Sequence, residues 1–273
     1  MTSQDPRPIG VFDSGVGGLT VLKATRERLP DESFVYLGDT ARLPYGTKSP
    51  ATVAAYARRA AEHLRQRDIK LLVVACNTAS AVALGELSTS LAPLPVLGVV
   101  EPGARAAVAA RPAARHLVLA TEATVRLHAY RNAVGALDPA ARVDELPCEL
   151  LVALAEEGWT DDEIAVAVVR RYLAPWLGGE REPPDSLILG CTHFPLLAGA
   201  VREVVGAGIS VVDSAGTTAA AVAALLGTHG LAAPPGNGTL QFLATDGPRR
   251  FARVGGRFLG APLAAGEVLL TDL

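Results

Sequence analysis

Two of the three cysteines in this sequence stand where a thiol can do chemistry. Cys76 and Cys191 each follow a short apolar run, Leu72–Ala75 and Leu187–Gly190, and each precedes residues that suit a helix start. In an open parallel sheet, the residues just after a strand line the crevice where ligands bind. The free N–H groups of a helix start also favour an anion, either a substrate carboxylate or a thiolate. The pattern predicts two functional thiols, whereas Cys148 is interpreted as structural.

The residues that follow the two thiols are candidates for binding a polar substrate. Asn77 and Thr78 follow Cys76, and Thr192 follows Cys191. Their side chains can donate and accept hydrogen bonds, as a ligand with several polar groups requires. Helix capping is the alternative role of such residues at a helix start. Both roles stay open at this level.

Two carboxylate or imidazole side chains could assist proton transfer. His193 lies two residues after Cys191, and an imidazole there can hold or relay a proton. Asp13 and Ser14 follow the first predicted strand, in a glycine-rich segment whose backbone can approach a small ligand closely. An N-cap is the alternative role of Asp13. The segment has neither the glycine spacing of a dinucleotide fingerprint nor the Gly-Lys-Ser/Thr of a P-loop.

The spacing of the cysteines decides between several kinds of thiol chemistry. No Cys-x-x-Cys or paired-His pattern predicts a zinc site, and three widely spaced cysteines do not suit a disulfide framework. A cysteine phosphatase needs an arginine a few residues after its thiol, and neither candidate has one. A hydrolase using Cys191 and His193 stays possible but leaves Cys76 unexplained. An acid and a base on opposite faces of a carbon acid would use both thiols and demand no cofactor.

Composition and charge exclude several classes of protein. The chain has 273 residues, of which 49% are hydrophobic, and a formal net charge of -3. This is typical of a folded chain of one large or two ordinary domains, without the positive surplus that binds nucleic acid. The apolar runs fall short of the roughly 20 residues of a spanning helix, and Met1–Pro8 does not resemble a secretory signal. We expect a cytoplasmic protein with a small-molecule substrate, and neither nucleic acid nor membrane as a partner.

The elements that must position these residues alternate between short apolar strands and longer helical segments, which favours an α/β fold with mainly parallel strands. The predicted strands are Ile9–Phe12, Ser33–Gly38, Leu71–Ala75, Val96–Val99, His116–Ala120, Arg142–Leu146, Ser186–Leu189, Ser210–Asp213 and Thr239–Ala244. The predicted helices are Leu19–Arg28, Thr52–Arg67, Thr78–Leu87, Gly103–Ala109, Val125–Ala136, Asp161–Trp176, Leu196–Val205 and Thr217–Thr228. These nine predicted strands exceed the usual number in one sheet, about four to six, so we expect two sheets. The similar segments around the two thiols predict one element used twice.

The ordered set of motifs around these residues strongly resembles the cofactor-independent aspartate/glutamate racemase family. Each motif is weak alone, but their combination in the family's order is specific. The matching segments are Ile9–Leu19, Tyr36–Gly46, Ala75–Ser80, Gly98–Pro102, Ala120–Val125 and Gly190–Leu197.

The resemblance implies a fold of two pseudo-symmetric three-layer α/β domains with mainly parallel sheets and the active site in the cleft between them. Residues 1–98 and 211–273 would form one domain, to which the chain returns at its C-terminus, and residues 99–210 the other. The implied activity is racemisation of glutamate without pyridoxal phosphate, any other cofactor or a metal. It would supply D-glutamate for peptidoglycan synthesis, and so for cell-wall biogenesis and cell shape. A homodimer is implied as well.

The resemblance also assigns roles to individual residues. Cys76 would be the catalytic base for D-glutamate and Cys191 the base for L-glutamate. Asp13 would support proton transfer at Cys76, and His193 at Cys191. The implied substrate contacts are Asp13, Ser14, Tyr45, Gly46, Asn77, Thr78, Thr192 and His193.

The chain departs from the family's pattern in one place, and two alternative functions stay open. The family usually has a Cys-Pro pair before an apolar run ending in Glu, whereas here Cys148 is followed by Glu149 and the run ends at Glu156. Glu156 matches the family's auxiliary acidic residue, and the altered run leaves its placement to be tested. Aspartate is an alternative substrate, since one methylene is worth only about 1–3 kcal/mol of discrimination. A non-enzymatic relative that binds amino acids or proteins is a further alternative, against which the intact thiols count.

Overall fold

The chain alternates strands and helices along its length, as predicted for an α/β protein. The computed structural model describes residues 4–236 and 238–273, so residues 1–3 of the first predicted domain and Asn237 lie outside the described residues. The strands are β1 (Ile9–Asp13), β2 (Phe34–Gly38), β3 (Leu71–Val74), β4 (Val96–Gly98), β5 (Arg115–Ala120), β6 (Arg142–Pro147), β7 (Ser186–Gly190), β8 (Ser210–Asp213), β9 (Leu240–Ala244) and β10 (Val268–Leu270). The α-helices are α1 (Leu19–Arg28), α2 (Pro50–Arg65), α3 (Asn77–Ser90), α4 (Val100–Ala110), α5 (Glu122–Arg126), α6 (Ala129–Leu137), α7 (Glu149–Glu157), α8 (Glu163–Leu177), α9 (Ala198–Val205), α10 (Ser214–His229) and α11 (Pro248–Leu259).

Two parallel sheets repeat one four-strand order. The six-stranded sheet runs β10-β9-β2-β1-β3-β4, and the four-stranded sheet runs β6-β5-β7-β8. The order β2-β1-β3-β4 therefore corresponds to β6-β5-β7-β8, with β9 and β10 added at one edge of the larger sheet. Because β3 precedes Cys76 and β7 precedes Cys191, the two thiols follow equivalent strands. The predicted two-sheet fold with a repeated element is confirmed.

Helices cover both faces of each sheet, which gives each half of the molecule three layers. On the six-stranded sheet, α2 and α3 pack against one face around Phe12 and Val74, and α1, α10 and α11 pack against the other. On the four-stranded sheet, α4 and α6 pack around Val118 and Ile188, and α7, α8 and α9 cover the opposite face. We call the six-stranded sheet with α1–α3, α10 and α11 the larger lobe. The four-stranded sheet with α4–α9 is the smaller lobe.

The chain crosses between the lobes at two neighbouring places. β4 ends at Gly98 and leads into α4, while β8 ends at Asp213 and leads into α10. The side chain of Asp213 caps α10 by accepting hydrogen bonds from the N–H groups of Ala215 and Gly216, both at 2.9 Å. Helices α4 and α10 contact each other beside these crossings. The exact residue ranges of the domains stay a proposal; the pairing of β8 with β7 carries the smaller sheet to Asp213.

Several elements differ from the sequence-based expectation. The helix predicted over Val125–Ala136 is divided into α5 and α6, because His128 adopts a left-handed φ of 51° between them. Helices α7 and α11 and strand β10 were not predicted. Helix α11 contains Gly255 and its neighbour Gly256, which weaken a helix interior. Gly255 is needed nonetheless, since a Cβ there would lie 2.7 Å from the Leu19 side chain.

Candidate active site

The ends of β3 and β7 bring the two thiols into one buried site, one from each lobe. Cys76 and Cys191 are each 6% exposed, and they lie close enough that a charge on Cys191 raises the pKa of Cys76. Cys76 stands at the start of α3, where its sulfur accepts a hydrogen bond from the Ala79 N–H at 3.5 Å. Cys191 follows β7 and precedes a short 3-10 turn at Phe194–Leu197.

Asp13 and Ser14 flank the Cys76 thiol. The thiol donates to the Ser14 hydroxyl at 3.6 Å. Asp13 is 1% exposed; its Oδ2 accepts from the Gly15 N–H at 2.9 Å, and its Oδ1 has no hydrogen-bond partner among the described residues. Burial and the neighbouring Asp13 carboxyl raise the pKa of Cys76 to about 12, and burial raises the pKa of Asp13 as well. Cys76 therefore carries its proton at neutral pH.

His193 and Glu156 form a chain of polar contacts behind Cys191. The Nδ1 atom of His193 lies 3.8 Å from the Cys191 sulfur, and Nε2 lies 3.2 Å from Oε1 of Glu156. Burial alone would lower the pKa of His193, but its contacts with Cys191 and Glu156 raise that pKa to about 10. The hydrogen bond from His193 holds the pKa of Glu156 at about 2, despite partial burial. At neutral pH the thiol of Cys191 therefore faces an imidazolium.

The glycine-rich segment after β1 packs directly onto the Cys191 half of the site. A Cβ at Gly17 would lie 2.4 Å from Nδ1 of His193 and equally close to Oγ1 of Thr192. The hydroxyl of Thr20 donates to the backbone carbonyl of Thr192 at 2.9 Å. Only a glycine lets the backbone of the larger lobe approach the smaller lobe this closely at position 17.

Asn77 and Thr78 connect the start of α3 to the smaller lobe. Oδ1 of Asn77 accepts a hydrogen bond from the Tyr130 hydroxyl at 2.7 Å, while its buried Nδ2 has no partner in the described chain. The hydroxyl of Thr78 lies 3.1 Å from that of Thr121 and 3.4 Å from that of Thr124. A buried amide group without a partner is unusual in a folded protein and carries a free-energy cost unless another group accepts its hydrogen bonds.

Tyr45 and Gly46 begin a short 3-10 turn near Cys76. The Tyr45 hydroxyl donates to Oδ2 of Asp39 at 2.7 Å, and burial together with Asp39 raises the pKa of Tyr45. Gly46 lies against Thr121, because a Cβ there would stand 3.1 Å from the Thr121 Cβ. The Tyr45 hydroxyl is thus engaged with a carboxylate of its own lobe.

Some residues that hold the site together were missed from the sequence. Four of them lie within the matching segments, and their signal was a polar side chain in an apolar setting. Two others, one on α6 and one on α11, carry no motif at all. The missed residues are Tyr36, Asp39, Thr121 and Thr124 in the first group, and Tyr130 and Arg250 in the second.

The described residues contain neither a metal-binding cluster nor a membrane-spanning helix. Across residues 4–236 and 238–273, no three His, Cys, Asp or Glu side chains are grouped so that they could hold a metal ion. Nor is any helix in that part of the chain both long and apolar enough to cross a membrane.

Comparison with known proteins places this geometry in a family. The model for the Asp/Glu/hydantoin racemases matches residues 19–224. A glutamate racemase of Geobacter metallireducens is 50% identical over 98% of this chain and 97% of its own. The solved glutamate racemase of Thermus thermophilus, in complex with β-chloro-D-alanine, has a TM-score of 0.88 and 44% identity over 98% of each chain. That of Francisella tularensis, in complex with D-glutamate, has a TM-score of 0.89 and 33% identity over 98% of each chain. The chain therefore belongs to the Asp/Glu/hydantoin racemase family, and within it to the glutamate racemases.

Proposed function

We propose that this protein interconverts L- and D-glutamate by moving the α-proton between two thiols, Cys76 and Cys191. The observation that carries the proposal is that the two buried thiols follow equivalent strands of two repeated sheets, and that the segment after β1, which flanks Cys76, packs onto Thr192 and His193 beside Cys191. Inversion at a carbon needs a base on one face and an acid on the other. Two related half-sites supply both groups without a cofactor.

In the direction from L- to D-glutamate, Cys191 acts as a thiolate and Cys76 as a thiol. The Cys191 sulfur takes the α-proton, and the electron pair of the C–H bond spreads into the substrate carboxylate. The Cys76 thiol then gives its proton to the opposite face of the carbon. The cycle leaves Cys191 protonated and Cys76 deprotonated, and exchange with water restores the starting state.

In the reverse direction the two thiols exchange roles. Cys76 must then be a thiolate, although burial and Asp13 raise its pKa to about 12. This makes the Cys76 thiolate a strong base once formed, and Asp13, with its raised pKa, is the neighbour that can carry the proton away. On the other side, the His193 imidazolium 3.8 Å away can neutralise a thiolate on Cys191.

The substrate would be held by donors at both strand ends. The free amide N–H group of Asn77, the hydroxyls of Ser14, Thr78 and Thr192, and the turn at Tyr45 and Gly46 are the proposed partners of its carboxylates. Asp13 and His193 complete the set and would also meet the ammonium group or the α-carboxylate. The D-glutamate formed would serve peptidoglycan synthesis.

The reaction is tested by incubating L-glutamate with the protein in D₂O without pyridoxal phosphate. Circular dichroism should show the optical signal decaying to zero. At early times, mass spectrometry should find deuterium at Cα of the D-glutamate formed and protium in the remaining L-glutamate, because a second base delivers a solvent-derived deuteron. Product that keeps its original proton would mean one base, and a stable optical signal would refute racemisation.

The roles of the two thiols are tested by Cys76→Ala and Cys191→Ala. Each variant should lose racemisation, since each removes one of the two proton carriers. Cys148→Ala is the matched control, because that thiol is buried in the core and donates its hydrogen bond to the Leu146 carbonyl at 3.5 Å. A hydrolase would instead form an acyl adduct on Cys191 and tolerate Cys76→Ala.

We also propose that the protein is a homodimer. The support is an apolar stripe on the outer face of α8, where Ile164 is 50% exposed, together with Leu150 of α7 at 49%. Glu163 and Arg171 stand two turns apart on the same face, so an antiparallel second copy of α8 would pair them across a two-fold axis. Light scattering on the wild type and on Ile164→Glu tests this, with a monomeric variant expected.

A further inference from the structure

Glu156 lies between two cationic groups that come from different lobes. Its Oε1 accepts from Nε2 of His193 at 3.2 Å, and its Oε2 accepts from the Arg250 guanidinium at 2.7 Å. Its backbone carbonyl accepts a further hydrogen bond from the Arg257 guanidinium. The carboxylate that supports the imidazole beside Cys191 is therefore held at its other oxygen by a residue of α11.

The position of Glu156 in α7 explains why it needs this partner. It is the second-last residue of the helix, which ends at Glu157 and is followed by Gly158 in the left-handed conformation. Carboxylates at a helix C-terminus are unfavourable, because they face the negative end of the helix dipole. The last turn of α7 has no basic residue of its own. Arg250 and Arg257 supply the positive charge from another helix.

Helix α11 also contacts His193 directly. The ring of Phe258 meets the imidazole edge-on, with 5.0 Å between the ring centroids. Phe251 and Phe258 are both buried and anchor α11 in the core. The backbone that carries Arg250, the partner of Glu156, is therefore held in place. One helix of the larger lobe thus fixes both the ring and the carboxylate of the smaller lobe.

The two thiols differ in this respect. Asp13, the support of Cys76, comes from the same lobe as its thiol, and it accepts a hydrogen bond from the Gly15 N–H two residues later in the chain. The support of Cys191 is completed by the opposite lobe. The charged and titratable groups that act on His193 are Cys191, Glu156 and Asp13, and Arg250 acts on it through Glu156.

We propose that Arg250 is a positioning residue for proton transfer at Cys191. It fixes the Glu156 carboxylate on His193 when the two lobes are in contact. The Cys191 half-site is therefore complete only when the larger lobe packs against the smaller one. This inference rests on the proposed racemisation. Because the Arg250 side chain is 50% exposed, its ion pair adds little to folding stability, and its removal should act on catalysis.

The kinetic test compares Arg250→Gln and Arg250→Lys with Arg253→Gln. Arg253 is exposed one turn further along α11 and makes no ion pair with any residue between 4 and 236 or 238 and 273, so it is matched for helix and charge. Arg250→Gln should lower kcat/KM about ten-fold, since general acid–base groups contribute about 100- to 10,000-fold and only their positioning is lost. Arg250→Lys should recover part of the loss, and Arg253→Gln should match the wild type.

Deuterium at the substrate Cα shows which thiol has been affected. In Arg250→Gln the isotope effect on L-glutamate should rise, because removal of that deuteron by Cys191 becomes more rate-limiting. The isotope effect on D-glutamate should fall, because Cys191 then delivers a proton after the isotopic step. An activity loss with both isotope effects unchanged, or full activity in Arg250→Gln, would overturn the proposal.

A spectroscopic test separates positioning from simple charge removal. Losing a nearby cation would raise the pKa of His193, whereas losing the fixed Glu156 contact would lower it. We expect ¹⁵N NMR of the His193 ring to show a lower pKa in Arg250→Gln, and a higher one would contradict the proposal.

Should Arg250→Gln fold poorly, a double variant replaces it in the test. In protein that already carries Glu156→Gln, Arg250→Lys should change kcat/KM less than two-fold, and a larger loss would refute the coupling. Wild-type racemisation in the same assays tests the proposed function separately.

Discussion

Glu156 holds His193 from the side opposite Cys191. Its Oε1 lies 3.2 Å from Nε2, while Nδ1 of the same ring lies 3.8 Å from the Cys191 sulfur. Both ring nitrogens are engaged, so the orientation of the ring is set and both can carry a proton. The Cys191 half-site therefore contains a fixed positive charge at physiological pH.

The raised pKa of His193 predicts a loss of stability at alkaline pH. This pKa rises from 6.5 to about 10 on folding, so the native state keeps a proton that the unfolded chain has released. The stabilisation is complete below pH 6.5 and is lost as the pH rises towards 10. Urea unfolding at several pH values should show this fall, and His193→Gln should flatten it. Cys76→Ala is the control, because the pKa of Cys76 rises from 9.0 to about 12 and acts only above pH 9.

The lowered pKa of Glu156 predicts that the free energy of unfolding falls at acid pH. Its pKa falls from 4.5 to about 2 on folding, mainly through the hydrogen bond from His193. The stabilisation is present above pH 4.5 and is lost as the pH falls towards 2. Acid unfolding of Glu156→Gln should be shallower than that of the wild type. The exposed neighbour Glu157, changed to Gln, should leave this fall as it is; an identical effect of both changes would contradict the assignment.

The contact between Tyr130 and Asn77 predicts an effect on substrate binding. Tyr130→Phe leaves the buried Asn77 carbonyl oxygen without its donor, which should cost about 1–3 kcal/mol of stability and free the amide to turn away. We expect a higher KM for both enantiomers. Tyr172→Phe removes a hydroxyl that accepts only the Leu150 N–H at the surface, and its KM should stay at the wild-type value. An unchanged KM in Tyr130→Phe would argue against Asn77 as a substrate contact.

The close approach of Gly17 predicts a catalytic defect. In Gly17→Ala the new methyl group would displace His193 and Thr192, and a displacement of about 1 Å can cost on the order of 100-fold in rate. Steady-state kinetics should show a lower kcat. Gly85→Ala is the control: it lies exposed within α3, and apart from the adjoining backbone no atom of the described residues lies within 4 Å of its added Cβ. It should raise stability by about 0.5–1 kcal/mol and leave kcat unchanged.

The strands and the positions of the thiols follow from local patterns, which is why they could be predicted. Strands β3 and β7 are short runs of buried aliphatic residues, and the polar residues after them mark the sheet edge. The equivalence of the segments around Cys76 and Cys191 could also be predicted, because their amino-acid sequences are similar. The matching strand orders of the two sheets confirm this equivalence.

The supports of the Cys191 half-site could not be predicted, because they depend on contacts between distant segments. Glu156 and Arg250 are 94 residues apart in the chain. Helix α11, which carries Arg250, has two adjacent glycines and many arginines, so its local pattern does not indicate a buried helix. Its buried face depends on packing against α1, which only the folded chain provides.

The unequal support of the two thiols has a thermodynamic consequence. L- and D-glutamate have equal free energies in water, so their equilibrium constant is one, and kcat/KM must be the same in both directions. The charges assembled behind Cys191 can therefore change kcat/KM only by the same factor for both hands. The enantiomer that turns over faster must also saturate the protein at a higher concentration, and neither hand can accumulate.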